Sequence, residues 1–350
     1  MSPEITPGTN KYVQFTGVNM KHEIAVSVII PVYNAEKTIK SLIEDILLED
    51  RINIEVIIVN DGSSDNTSTI INSIKDGRVQ VIEQNNKGVY AARNNGLDKH
   101  KGQWVMFLDA DDDVSEGFIY NRYIQASSHN ADVLLSNAWK LLHEGDNKKP
   151  VHTNQPYDEV LSGNAWMSHA VKVREWPHYL WLQIVRSDYI RNNNLSFHDG
   201  RSHKDILWTM ELALANGRFY ISKDMDYTYK YNNESITNRG DYFDVRAECY
   251  IDVISKTIGH AKSIKNNDLS VSLFRHALYE ARHFLGLYRK KVRDKEKIRR
   301  LFVREIAYKD LIKGVYSLSD IFFLLKVFVK TKKFTGASPK LKWIIILLLA

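Results

Sequence analysis

Between residues 25 and 110, short β-branched apolar runs alternate with stretches whose apolar positions recur at helical spacing. Val26-Ser27-Val28-Ile29-Ile30-Pro31 predicts a buried strand ended by proline. Ala35 to Leu48 follows as a helix, with Ile39, Leu42, Ile43, Ile46 and Leu47 on one face. Ile54–Val59, Val79–Glu83 and Trp104–Leu108 read as further strands, separated by helices over Thr67–Ile74 and Gly88–His100. Runs that are apolar on both faces and joined through helices predict a mostly parallel sheet covered on each side, an α/β architecture. Ligands of such sheets bind beyond the carboxyl ends of the strands. The polar loops after Ile30, Val59 and Leu108 all fall on that edge.

The middle of the chain is mixed. Ala131–Asn137 suggests a strand, Trp139–Pro156 is loop-like, and Trp181–Asn192 reads as a strand or turn entering a helix. Asp205–Ala215 reads as a helix and Phe219–Ile221 as a short strand. Beyond about residue 245 only helical patterns remain, with Ile298, Phe302 and Ile306 sharing a face. The expected organisation is an N-terminal extension (1–24), an α/β domain (25–240, with halves 25–115 and 116–240) and a helical C-terminal region (241–350).

With 44% hydrophobic and 26% charged residues the chain is globular, which excludes disorder. Its single cysteine, Cys249, cannot form an internal disulfide. The opening MSPEITPGTNKYVQ has no apolar run behind basic residues, and no stretch reaches the roughly 20 apolar residues of a spanning helix. The expected location is the cytosol. Residues 281–350 hold 18 Lys and Arg against 5 Asp and Glu, while the remainder holds 30 against 37. A basic end on an acidic body suggests an anionic partner. Nucleic acid is not expected, since neither a zinc nor a helix-turn-helix signature is present.

Asp109, Asp111, Asp112 and Asp113 place four carboxylates within five positions at the end of the fourth strand. Such crowding is compensated by a hard divalent cation, Mg²⁺ or Mn²⁺, held by one or two carboxylates and substrate phosphates. A solvated acidic turn capping the next helix is the alternative. An EF-hand is excluded, because no glycine or glutamate follows at the required spacing. His129, His143 and His152 have no ligand spacing.

Four blocks occur in order: Val28-Ile29-Ile30-Pro31-Val32-Tyr33-Asn34, Val59-Asn60-Asp61-Gly62-Ser63-Ser64-Asp65, Ala92-Arg93-Asn94-Asn95-Gly96 and Leu108-Asp109-Ala110-Asp111-Asp112. With them the chain resembles the family-2 inverting glycosyltransferases over residues 25–240. The resemblance implies a GT-A nucleotide-diphospho-sugar transferase fold with a helical C-terminal extension. The segments 175–181, 186–190 and 203–209 are similar to the enteric glucuronosyltransferases that act on heptose III of the lipopolysaccharide core. The implied reaction moves glucuronic acid from its UDP derivative to a heptose. Transfer of a hexose or galacturonic acid to another surface glycan, such as capsule or O-antigen, is the alternative, and a catalytically silent glycan-binding module a further one.

The same resemblance assigns roles. Pro31, Tyr33 and Asn34 would wall the uracil, and Asp61 would accept from the base, unless it is a turn aspartate bonding its own backbone. Arg93 would approach the nucleotide or its phosphates, unless it is a surface helix arginine. Asp111 would coordinate the metal, with Asp109 on the ribose or a metal-bound water. Asp205 would be the base, in a Lys204-Asp205 pair where the family has Glu-Asp; a plain helix-capping aspartate is the competing reading. Trp176, His178 and Lys204 would touch the acceptor, with Trp181 in the core. Lys204, Arg186 or Arg201 would meet a uronate carboxylate. Ser235–Arg239 would form a lid with Arg239 as a clamp. The basic end, where Lys326, Lys330, Lys332, Lys333, Lys340 and Lys342 interleave with apolar residues, would hold the enzyme peripherally on the inner face of the inner membrane, near a lipid-linked acceptor. Trp343–Leu349 is too short to span.

Overall fold

A computed structural model describes residues 23–141, 147–230 and 242–331. The extension before residue 23, His143, Ser235–Arg239 with the proposed clamp Arg239, and the end from Lys332, including Trp343–Leu349, lie outside the described residues.

The first half follows the expected alternation: β1 (Val26–Val32), α1 (Ile39–Leu47), β2 (Ile54–Asn60), α2 (Thr67–Ser73), β3 (Val79–Glu83), α3 (Val89–Lys99) and β4 (Trp104–Phe107). The second half adds α4 (Phe118–Ser128), β5 (Val133–Leu141), β6 (Lys149–Pro150), β7 (Glu159–Ser162), α5 (Gly163–Val173), β8 (Gln183–Arg186), α6 (Ser187–Asn192), α7 (Lys204–Leu214) and β9 (Arg218–Lys230). Five helices follow: α8 (Phe243–Ser263), α9 (Asn267–Lys290), α10 (Lys295–Glu305), α11 (Tyr308–Ile312) and α12 (Leu318–Thr331).

One sheet runs through the molecule in the order β3-β2-β1-β4-β8-β5-β9-β7, with β6 paired to β5. β1, β2, β3 and β4 are parallel, β8 is antiparallel to both β4 and β5, and β9 returns parallel to β5. Proline does not end β1, contrary to the sequence reading, since Pro31 is paired with Val59 inside the strand. The β1–β4 ladder stops at Ile29↔Phe107, with Leu108 N–H donating to Ile29 O. The donor that Pro31 lacks therefore falls past the end of that ladder.

Alternate side chains of the central strands enter two cores. Val28, Ile30, Val56, Ile58 and Met106 pack with Ile39, Leu42, Ile43 and Ile46 of α1 and with α4. Ile29, Ile57, Val59, Val105 and Phe107 pack with Trp208 of α7 and onward to Phe284, Phe302 and Val327. The C-terminal helices thus share a core with the sheet. Ile298, Phe302 and Ile306 are buried together, as their spacing predicts.

Three sequence expectations change. Trp139–Leu141 continue β5 and Lys149–Pro150 form β6, so that stretch is not all loop. The strand at Phe219–Ile221 runs on to Lys230. α5 had no sequence counterpart; its N-cap Ser162 accepts from Ala165 N–H at 3.3 Å. Among the described residues, no helix is long and apolar enough to cross a membrane. On α12, Phe323 and Val327 are buried, whereas Leu318, Ile321 and Phe322 are exposed.

Candidate active site

The loops after β1 and β2 are clasped together. Asn34, at φ 51°, donates its N–H to Ser63 Oγ (3.0 Å) and accepts from Ser64 N–H (2.8 Å). Ala35 N–H donates to Thr67 Oγ1 at 2.8 Å. Of the three residues expected to wall the uracil, Tyr33 and Asn34 stand exposed on this edge, whereas Pro31 is buried in β1. Asp61 is 4% exposed and accepts from Gln84 Nε2 (2.8 Å), Lys87 N–H (2.7 Å) and Gly88 N–H (2.8 Å). It holds a distant turn and not its own, and of about four acceptor positions on a carboxylate one remains. Gly88, the residue it grips, caps α3 at φ 94°, a conformation that disfavours any side chain.

α3 joins the two ends of the site. Arg93 is buried, not a surface arginine, and its Nη2 meets Asp109 Oδ1 at 2.5 Å. Tyr90 lies three residues earlier, on the same helical face. Its hydroxyl accepts from Lys204 N–H at 3.0 Å and donates to Asp205 Oδ1 at 3.2 Å. Asp109 and Asp205, 96 positions apart in the sequence, are therefore tied to one turn of one helix.

The acidic loop divides. Asp112 turns inward, accepting from Asp109 N–H at 2.7 Å and from the Tyr227 hydroxyl. Burial, with the charges of Asp109 and Asp111 added, holds its pKa well above the usual carboxylate range. Asp111 is exposed, and the Asp109 side chain is 46% exposed. Among the described residues no three metal-ligating side chains converge. Two accessible carboxylates suit a hard cation that takes its other ligands from water and phosphate. On donor chemistry Asp109 and Asp111 fit Mg²⁺ or Mn²⁺.

His203, at φ 61°, turns the chain into α7 and sets Asp205 in its first turn. The carboxylate opens into a cleft of about 570 Å³. His178 Nε2 lies 3.7 Å from Asp205 Oδ2. Lys204 is not an acceptor contact. It is buried, and its ammonium pairs with Asp252 of α8. Arg186 is likewise committed elsewhere, to Asp132 (3.6 Å) beside the N-terminal end of β4. Trp181 is core, as expected, stacked on Tyr227 at 4.2 Å between ring centroids. Trp176 reaches the cleft but is only 5% exposed, wedged between Trp166 (5.4 Å) and His276 (4.2 Å).

The far wall of the cleft comes from α8 and α9 through Arg246, Tyr250, Tyr279, Glu280 and His283. Sequence reasoning missed these and Tyr90. A signal existed in α9, where Glu280 interrupts the buried stripe of Leu273, Ala277, Ala281 and Phe284. Burial lowers His203 and His152 to about 4 each. Burial, reinforced by the charge of Asp205, pushes Glu280 up to about 8.

The profile described as glycosyl transferase family 2 matches residues 27–183. Glycosyltransferase GlyG of Streptococcus pneumoniae is 40% identical over 67% of this chain and 79% of its own length. The uncharacterized glycosyltransferase YibD of Escherichia coli K12 is 32% identical over 61% of this chain. The chain spans 63% of that relative's length, less than two thirds. In structure, Staphylococcus aureus TarS (residues 1–349, in complex with UDP-GlcNAc) superposes with a TM-score of 0.68 at 21% identity, covering 88% of each chain. That likeness supports the GT-A arrangement of mixed sheet and flanking helices with a helical C-terminal region. The pneumococcal match and the family profile agree, and the chain belongs to glycosyl transferase family 2.

Proposed function

We propose that the protein transfers a sugar from a UDP derivative to a hydroxyl of a surface glycan, with inversion at the anomeric carbon. The supporting observation is the α3 bridge, which sets Asp205 at the cleft floor and Asp109 at the nucleotide edge through Tyr90 and Arg93. Asp205 takes the proton of the attacking hydroxyl as that oxygen bonds to the anomeric carbon and the bond to UDP breaks. Tyr90 donates to the carboxylate and fixes its direction. Tyr33, Asn34 and the last acceptor position of Asp61 are the contacts available to the uracil. Asp111 and Asp109 would hold Mg²⁺ or Mn²⁺, which would supply positive charge against the departing diphosphate. Arg93 keeps the Asp109 carboxylate oriented toward that edge.

For the donor we infer glucuronic acid and for the acceptor a heptose of lipopolysaccharide core, on the likeness of residues 175–209 to the enteric enzymes. A neutral or N-acetylated hexose is the second reading. It is favoured by the commitment of Lys204 and Arg186 to Asp252 and Asp132, which removes two cations from any uronate carboxylate. TarS, named as a poly(ribitol-phosphate) β-N-acetylglucosaminyltransferase, points the same way. UDP release from UDP-glucuronate, UDP-glucose and UDP-GlcNAc, each with Mn²⁺ and delipidated core oligosaccharide, separates the readings. Turnover of none of them overturns the proposal.

The basic end would bring the site to an anionic membrane at its cytoplasmic face, with Leu318, Ile321 and Phe322 of α12 exposed beside Lys326 and Lys330. Flotation with anionic vesicles at low salt, lost at high salt and on removal of 315–350, is expected. Equal recovery without that segment removes the membrane reading.

A further inference from the structure

The wall that α8 and α9 raise opposite Asp205 buries polar atoms that the protein leaves unsatisfied. Glu280 is 3% exposed yet lines the cleft. Its closest basic neighbour, His276 Nδ1, is 3.9 Å away, beyond hydrogen-bond reach. Among the described residues no hydrogen bond reaches its carboxyl. Trp176 Nε1 and His152 Nε2, both in residues that line the same cleft, are also buried without a partner. Buried polar groups are nearly always paired in folded proteins, so two buried unpaired nitrogens beside a carboxyl that takes no hydrogen bond, all around one cavity, call for a ligand that pairs them. That ligand must carry hydroxyls at several angles and an apolar face for the indole edge.

We propose that Glu280, with the Trp176 indole N–H and His152, forms the subsite that grips the acceptor ring, and that the ring there is an uncharged polyol. This rests on the reading of Asp205 as the base on the acceptor side. The titratable and charged groups that line the cleft with Glu280 include Asp205 from α7, Arg246 and Tyr250 from α8, His178 from the segment before the Leu180–Leu182 turn, and Tyr279 and His283 on α9, and His276 lies beside it on the same helix. Burial first, and the charge of Asp205 second, push the Glu280 carboxyl up to about 8, so its neutral form predominates at pH 7. A neutral carboxyl both donates and accepts, as a sugar hydroxyl requires. A carboxylate or phosphate on the ring at that point would meet the charge of Asp205 across the cleft. Glu280 is thus a specificity-determining residue, set on a helix outside the segment matched by the family profile.

The test is calorimetric binding of a methyl heptoside, methyl glucoside and ribitol to the full chain loaded with UDP. Wild type is expected to bind at least one of them, and Glu280→Leu to bind it about tenfold more weakly. Glu280→Gln, a neutral side chain of the same shape, recovers binding to within about threefold. Glu280→Leu also raises Tm, because it removes a buried unpaired carboxyl, so misfolding is not the cause of its loss. Unchanged binding in Glu280→Leu, equal loss of UDP affinity, a lowered Tm, or no binding of any probe by wild type overturns the subsite. Failure of the base assignment is separately visible, as sugar transfer that survives Asp205→Asn.

Discussion

Tyr90 is the residue on which the geometry of the site turns. Its hydroxyl holds the first backbone N–H of α7 and the Asp205 carboxylate together. Tyr90→Phe removes about 1 kcal/mol of that restraint, so kcat falls roughly fivefold while donor KM is unchanged. Arg93→Met leaves Asp109 without its cation, and donor KM rises by roughly tenfold in steady-state kinetics. Acid sensitivity also originates in single residues. Burial holds His203 and His152 at about 4 and His276 at about 3. Unfolded, each titrates near 6.5. The unfolded chain therefore binds more protons, and stability present above pH 6.5 is lost as pH falls toward 4. Glu280 has the opposite sign, its contribution fading as pH rises from the ordinary carboxylate range toward 8. Asp112, raised by burial, adds to Glu280, and His100 and His283, lowered by burial, add to the histidines. Five histidines outweigh two carboxyls, so Tm at pH 5.5 is expected to lie below that at pH 7.5 in a calorimeter.

Among the elements, the βα units of the first half were legible because each is specified locally. Strands apolar on both faces and helices with one apolar stripe carry their own pattern, and β3 begins and ends where the sequence reading put it. β9 was cut short because Lys223, Asp224 and Asp226 interrupt its apolar run. The reason it continues is tertiary. Asp226 takes Arg122 of α4 in a two-pronged pair at 2.9 and 2.6 Å, and the guanidinium lies 4.0 Å above the Phe118 ring. Arg122 is 1% exposed. Asp226→Ala strands that cation in the core, and a loss on the order of 3 kcal/mol in urea unfolding is expected. The motif loops were readable, but their partners were not. Asp61 gripping Gly88 and Lys204 pairing with Asp252 join positions whose meeting no local spacing encodes.

At the scale of the molecule, the division into an acidic catalytic body and a basic tail does not describe the packing. α8 and α9 complete both the core beneath the sheet and the cleft above Asp205. One cooperative thermal transition is therefore expected for the full chain, the same by near-ultraviolet dichroism and calorimetry. A separate early transition for the C-terminal helices is inconsistent with a shared core. The cleft matters only if Asp205 is the base, and that is decided by one comparison. UDP release from the preferred UDP-sugar, with acceptor and Mn²⁺, is measured for wild type and Asp205→Asn at matched UDP affinity. A fall of roughly 10²-fold or more in the variant is expected. A rate within twofold of wild type would remove Asp205 from the chemistry and the proposed reaction with it.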